Sequence, residues 1–163
     1  GVCLMHMHHD PQTMQLQPMQ GSVDEVVQAV TDFLQQRAHA LGQLGVARER
    51  IVLDPGIGFG KTVPQNLALL KHQQRLQAAG HAVLAGWSRK STLGAVLEAL
   101  PPGITDVASR SDLLPHDRSL ASVAAALLAV EHGARIVRVH DVAATRQAVA
   151  VWHAMQALHV GAA

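Results

Sequence analysis

Four short apolar runs alternate with longer segments of helical period along this chain, and that alternation constrains the fold more than any single motif. Residues 2–7, 50–54, 82–87 and 135–139 read as strands without strict polar alternation, the pattern of strands covered on both faces. Between them the punctuation is helical. Ser22-Val23-Asp24-Glu25 has capping-box spacing, and Val26, Val27, Val30, Leu34, Ala38 and Leu41 then share one helical face until Gly42 and Gly45. Thr62 and Pro64 open a second helix that leucines carry to Gly80, and Ser91 begins a short third one. Asp117 is placed to cap a fourth helix, with Leu120, Val123, Ala124, Leu127 and Leu128 on its apolar face, and Asp141 to cap a fifth that ends near Leu158. The longest loop runs from Pro101 to Pro115. Strands and helices in this order predict an α/β fold with a parallel sheet and right-handed crossovers, as one unit over residues 1–163.

Composition removes several classes of function. With 163 residues, 48% of them hydrophobic, the chain can bury a core. A net charge of +1 leaves no basic footprint for nucleic acid. One cysteine, Cys3, excludes a disulfide framework and a cysteine-built zinc site, and fits a reducing cytoplasm. The longest apolar stretch, residues 123–130, is too short to span a bilayer.

Every distinctive polar cluster falls at the C-terminal end of a strand: His6 and His8, then Asp54, then Ser88 to Ser91, then Arg138 and His140. In parallel β/α folds that edge gathers loops and helix N-termini, so ligands bind there. Strand ends also turn polar simply on meeting water, but these residue types are more selective than that. The loop Gly56-Ile57-Gly58-Phe59-Gly60-Lys61-Thr62 misses the Walker A pattern at Pro55 and misses GxGxxG by one residue. What remains is a turn that lets a flat ring approach the main chain, with Asp54 accepting two hydrogen bonds from an amidine-like edge. A purely structural turn leaves Asp54 and Lys61 on its flanks unexplained.

Ser88-Arg89-Lys90-Ser91 sets two cations and two hydroxyls at a helix start, where free amides attract an anion. Arg138 and His140, two apart on a strand, form a second anion clamp. Together they suggest a substrate with one carboxylate and one phosphate-type group. His6, His8 and His9 are similar to the His-x-His of metal-dependent hydrolases, but 11 histidines make a chance pairing easy.

These residues also match a known family. Leu4-Met5-His6-Met7 with Pro11 and Thr13-Met14-Gln15, Asp54 to Lys61 with Asn66 and Leu69-Leu70, Gly86 to Ser91, and Arg138-Val139-His140-Asp141-Val142 resemble, in order, motifs of the dihydropteroate synthases. His8-His9 departs from the Gln-Gly more usual there. The resemblance implies a transferase of folate biosynthesis that joins 6-hydroxymethyl-7,8-dihydropterin diphosphate to p-aminobenzoate and releases pyrophosphate, with sulfonamides as competitors. It implies catalytic roles for Lys90, Arg138 and His140. It implies substrate contacts at Met5, Asp54, Gly58, Phe59, Gly86, Ser88, Arg89, Ser91 and Val139, and a homo-oligomer. The family fold is a TIM (β/α)8 barrel of roughly 250 residues. The chain is therefore expected to be the C-terminal half, strands five to eight, inactive alone and prone to associate. The asparagine that holds Mg²⁺ would lie in the other half, and the abrupt Gly1-Val2-Cys3 start would be a cut edge. A pterin-binding methyltransferase barrel and a non-catalytic oligomerising half-barrel are the alternatives. The Ser-Arg-Lys-Ser segment and the Arg-x-His clamp argue against the methyltransferase.

Overall fold

The structure, a computed structural model, describes residues 1–101 and 118–158. The loop expected over 101–115 and the cap expected at Asp117 lie outside the described residues, apart from Pro101. Strands β1 (Val2–Met5), β2 (Ile51–Asp54), β3 (Ala82–Ala85) and β4 (Ile136–Val137) form one sheet in the order β1-β2-β3-β4. All neighbouring pairs are parallel. Strand order equal to chain order, with a helix in every connection, is the pattern of a singly wound β/α sheet. The register sets Met5 beside Asp54, Leu53 beside Val83 and Ala85 beside Val137, so the strands reach the same edge level with one another. Every cluster expected at a strand end lies on that edge.

Helix α1 (Val23–Gln43) starts on a complete capping box, with Ser22 accepting from the Glu25 amide and the Glu25 carboxylate accepting from the Ser22 amide. Its face of Val26, Val27, Val30, Leu34 and Ala38 is buried against Ile51, Leu53, Val83 and Leu69. Leu34, Leu53 and Val83 are 0% exposed, and burying each side chain stabilises the fold by about 1.5–3 kcal/mol. Gly42 lies within α1, and Gly45 makes the left-handed turn after it. Thr62 and Gln65 form a second capping box at α2 (Val63–Lys71).

Three local expectations are corrected. The helix expected to run unbroken to Gly80 divides into α2 and α3 (Gln74–Gln77), because the chain turns at His72 and Gln73. That turn buries the Gln73 amide against the carbonyls of Ala129 and His132. The face expected for α5 (Ser119–Glu131) is not the buried one. Ser122, Ala125, Ala126 and Ala129 are buried, while Leu120 is 86% and Leu128 49% exposed. Small side chains let α5 approach β4 and α6 (Val142–Gln156) closely. Asp141 occupies the N-cap position of α6, but its side chain caps nothing there. Central strand β2 is almost wholly buried, whereas β1 is mostly exposed and Ile136 of β4 is 41% exposed. Among the described residues the sheet is thus open along β1 and β4. No described helix is long and apolar enough to cross a membrane.

Candidate active site

Asp54 ends β2 with 4% of its surface exposed. Its Oδ1 accepts the Gly56 amide at 2.8 Å, and its Oδ2 lies 3.9 Å from Arg138 Nη2. Burial pushes its carboxyl above the ordinary carboxylate range, against the opposing pull of that amide, Arg138, Lys90 and Lys61. A carboxylate poised between these influences can exchange its arginine for the paired N–H groups of a flat heterocycle.

The glycine loop is held in place from beneath. Lys61 Nζ donates to the carbonyls of Gly56 at 3.0 Å and Phe59 at 3.1 Å, and more distantly to His6. Burial, reinforced by Lys90 and opposed by Asp54, lowers its pKa to about 8. Lys61 is therefore explained as a structural tie, contrary to the expectation that its place beside the turn signals a ligand. Asn66, 1% exposed, takes the Gly58 amide on Oδ1 at 2.9 Å and gives Nδ2 to Thr92 Oγ1 at 3.0 Å and to the Lys61 carbonyl. Gln15 caps the Gly58 carbonyl at 2.6 Å. Glycine is required at position 56, where φ is +67° and a Cβ would lie 1.9 Å from the His6 carbonyl oxygen. Met5, beside Asp54 in the register, faces the same turn.

Gly86, Ser88, Arg89, Lys90, Arg138, Val139 and His140 line one cleft of about 580 Å³. Lys90 joins it to the glycine loop, its ammonium 4.2 Å from the Phe59 ring centroid and its stem against Gly58. Burial and then Arg138 lower the Lys90 pKa, with Asp54 opposing. A Cβ on Gly86 would lie 2.8 Å from Arg138 Nη2, so the glycine leaves the space the guanidinium crosses to reach Asp54. Ser91 is the first residue of α4 (Ser91–Glu98), exposed and without a side-chain cap in front of it. The helix start expected there is present.

Two residues of this segment have partners that the sequence did not reveal. Ser88 Oγ lies 2.9 Å from His140 Nδ1 and accepts the His140 amide at 3.1 Å. Arg89 has φ +60°, a left-handed conformation costing about 1 kcal/mol or more in a residue with a Cβ. Ser122 holds it there by accepting its amide at 2.9 Å, and Arg118 donates to its carbonyl. The Arg89 side chain binds Asp141 Oδ1 at 3.1 Å, which keeps the Asp141 carboxyl below its usual range. Although it lines the cleft, Arg89 is engaged by a carboxylate of its own chain. That pairing also explains why Asp141 does not cap α6. Ser122, within an alanine-rich helix, carried no signal; Asn66 was marked only by the family pattern.

The histidines after β1 do not assemble a metal centre. His6 is buried edge-on to Phe33, and burial, with Lys61 and His8, lowers its pKa to about 4. Among the described residues no group of three or more His, Cys, Asp or Glu side chains could hold a metal ion.

The level strand ends of a parallel sheet bring a buried carboxylate, two cations and a helix start to one edge, the edge at which β/α-barrel folds bind their ligands. The family model described as pterin binding enzyme matches residues 1–140, and the chain belongs to that family. It is 43% identical over 154 residues to the dihydropteroate synthase of Haemophilus influenzae, covering 94% of this chain and 50% of that protein. The solved Burkholderia cenocepacia dihydropteroate synthase complexed with 7,8-dihydropteroate is 50% identical, with a TM-score of 0.77 over 96% of this chain and 53% of that one. The Xanthomonas albilineans dihydropteroate synthase with 4-aminobenzoic acid is 41% identical, with a TM-score of 0.78 over 96% of this chain and 50% of that one. The chain spans about half the length of the curated relatives it matches.

Proposed function

We propose that the protein carrying this chain is a dihydropteroate synthase, joining 6-hydroxymethyl-7,8-dihydropterin diphosphate to p-aminobenzoate with release of pyrophosphate. The observation that carries the reading is the convergence of Asp54, Lys90, Arg138 and His140 at one level edge of the sheet. Asp54 binds the amidine-like edge of the pterin, with Met5 and Gly86 against its ring and Lys90 beside it. Arg138 and His140, flanked by Val139, hold the diphosphate. As the bond from the pterin methylene carbon to the diphosphate oxygen breaks, negative charge grows on the leaving group. The Arg138 guanidinium and a His140 ring N–H then stabilise the transition state more than the ground state. The amine of p-aminobenzoate attacks that methylene, with its ring at Phe59 and Lys90 and its carboxylate at the Ser91 helix start. Ser88 and Arg89 shape the wall between these subsites.

On this reading residues 1–163 form a single unit equivalent to strands five to eight of the family barrel. The protein is cytoplasmic, associates as a homo-oligomer and binds sulfonamides in competition with p-aminobenzoate. The Mg²⁺ that the family implies finds no ligand cluster among the described residues, and the roles given to this chain's residues do not depend on it.

The test is an assay of dihydropteroate formation by the protein as its gene encodes it. The double substitution Lys90→Ala with Arg138→Ala is expected to lower turnover about a thousandfold or more. Near-normal activity in that variant overturns the assigned site.

A further inference from the structure

We propose that Ser88 is a positioning residue that fixes the tautomer of His140, so that Nε2 carries the proton and presents it to the cleft. The proposal rests on the diphosphate clamp just described and assigns Ser88 a role through His140 in place of direct substrate contact. Ser88 follows β3 and is 8% exposed, while His140 follows β4. Two bonds join them. The backbone N–H of His140 donates to Ser88 Oγ at 3.1 Å, and the same oxygen lies 2.9 Å from His140 Nδ1. An amide can only donate, so one lone pair of the serine oxygen is committed. The serine proton must then find an acceptor, and Nδ1 is the one within hydrogen-bond reach among the described residues. Were Nδ1 to carry the ring proton, the hydroxyl would accept twice, and its own proton would be left unpaired at a nearly buried site. The hydroxyl therefore donates to Nδ1, and the neutral ring carries its proton on Nε2.

The consequence is directional. Nε2 has no partner among the described residues, and His140 lines the same cleft as Arg138 and Lys90. An N–H held there is a donor that needs no reorganisation when an anion arrives. The opposite tautomer would turn a lone pair toward the phosphate-type group and repel it. Because Ser88 also accepts the His140 amide, it holds the backbone after β4 together with the ring.

The experiment is long-range ¹H–¹⁵N NMR on protein with ¹⁵N-labelled histidine imidazoles, at neutral pH, with His140 assigned from the spectrum of His140→Gln. In the unmodified protein, Nδ1 of His140 is expected to show the shift of an unprotonated acceptor and Nε2 that of a protonated nitrogen. A protonated Nδ1 there overturns the proposal without recourse to any variant. Ser88→Ala should mix the two tautomers and weaken inorganic pyrophosphate roughly five- to tenfold, and Ser88→Thr should restore both readouts. An unchanged His140 nitrogen pattern in Ser88→Ala overturns the proposal. Tautomer control by Ser88 in a protein with no affinity for pyrophosphate upholds the lock and overturns the diphosphate reading instead.

Discussion

The Arg138 guanidinium stands 3.9 Å from the Asp54 carboxylate, although the two residues leave the sheet on strands separated by β3. The pair spans the floor of the site and keeps a buried carboxylate balanced before a ligand comes. Asp54→Asn removes the charge that a pterin edge would pair with. It is expected to weaken a pterin ligand by about 3 kcal/mol, roughly a hundredfold, and to leave pyrophosphate binding within a few-fold. Titration calorimetry with each ligand separately checks this; equal losses for both would mean the pocket had collapsed.

Asn66 is the joint between the glycine loop and α4, with bonds to Gly58, Lys61 and Thr92. Asn66→Ala orphans a part-buried amide and a buried hydroxyl together, so a loss of about 2–4 kcal/mol is expected. Urea denaturation measures it. A change within about 0.5 kcal/mol would show that water replaces the side chain freely.

Two glycines on this edge should fail differently. Gly56→Ala puts a methyl 1.9 Å from the His6 carbonyl at a left-handed φ, and a loss of about 3 kcal/mol or more, or no folding, is expected. Gly86→Ala meets only the end of the flexible Arg138 side chain. It should cost about 1 kcal/mol or less in stability yet weaken pyrophosphate about tenfold, since the guanidinium must move. Thermal melts and pyrophosphate titrations of the two variants separate these outcomes.

His6 predicts an acid limb to the stability curve. Its pKa falls from 6.5 to about 4 in the folded chain, because burial disfavours the charged ring. The unfolded chain therefore takes up a proton that the folded chain refuses, and stability falls as pH drops from about 6.5 toward 4. The full effect is about 3 kcal/mol. His6→Leu should remove this part of the slope, seen as a smaller difference between urea midpoints at about pH 7 and about pH 4.5. An unchanged slope would place the acid sensitivity elsewhere.

Much of this was legible in the residues because it rests on local chemistry. The Ser22–Glu25 capping box, the helix start at Thr62, the places of the four strands and the clustering of Asp54, Ser88 to Ser91, Arg138 and His140 at strand ends follow from spacing and residue type. What stayed hidden depends on how closely elements approach. On α5 periodicity favours the leucines, yet the helix buries its alanines, because a close neighbour selects for small volume. Ala129→Leu, at a residue 0% exposed, is accordingly expected to cost about 1–3 kcal/mol in a denaturation experiment. The engagement of Arg89 by Ser122 and Asp141 was equally invisible, since it is made across two helices and needs a left-handed backbone.

The even register of the sheet has a consequence for how such a chain can change over time. One residue added within β2, β3 or β4 would lift its ligand-facing group by about 3.3 Å and turn the next side chain to the opposite face. Asp54, the Ser88 segment and Arg138 would then no longer meet at one height. The turns at the other end of the strands, around Arg48, His81 and Gly133, carry none of these groups. Length variation among functional descendants should therefore collect at that end, leaving the strands fixed in residue count even where their apolar identities drift.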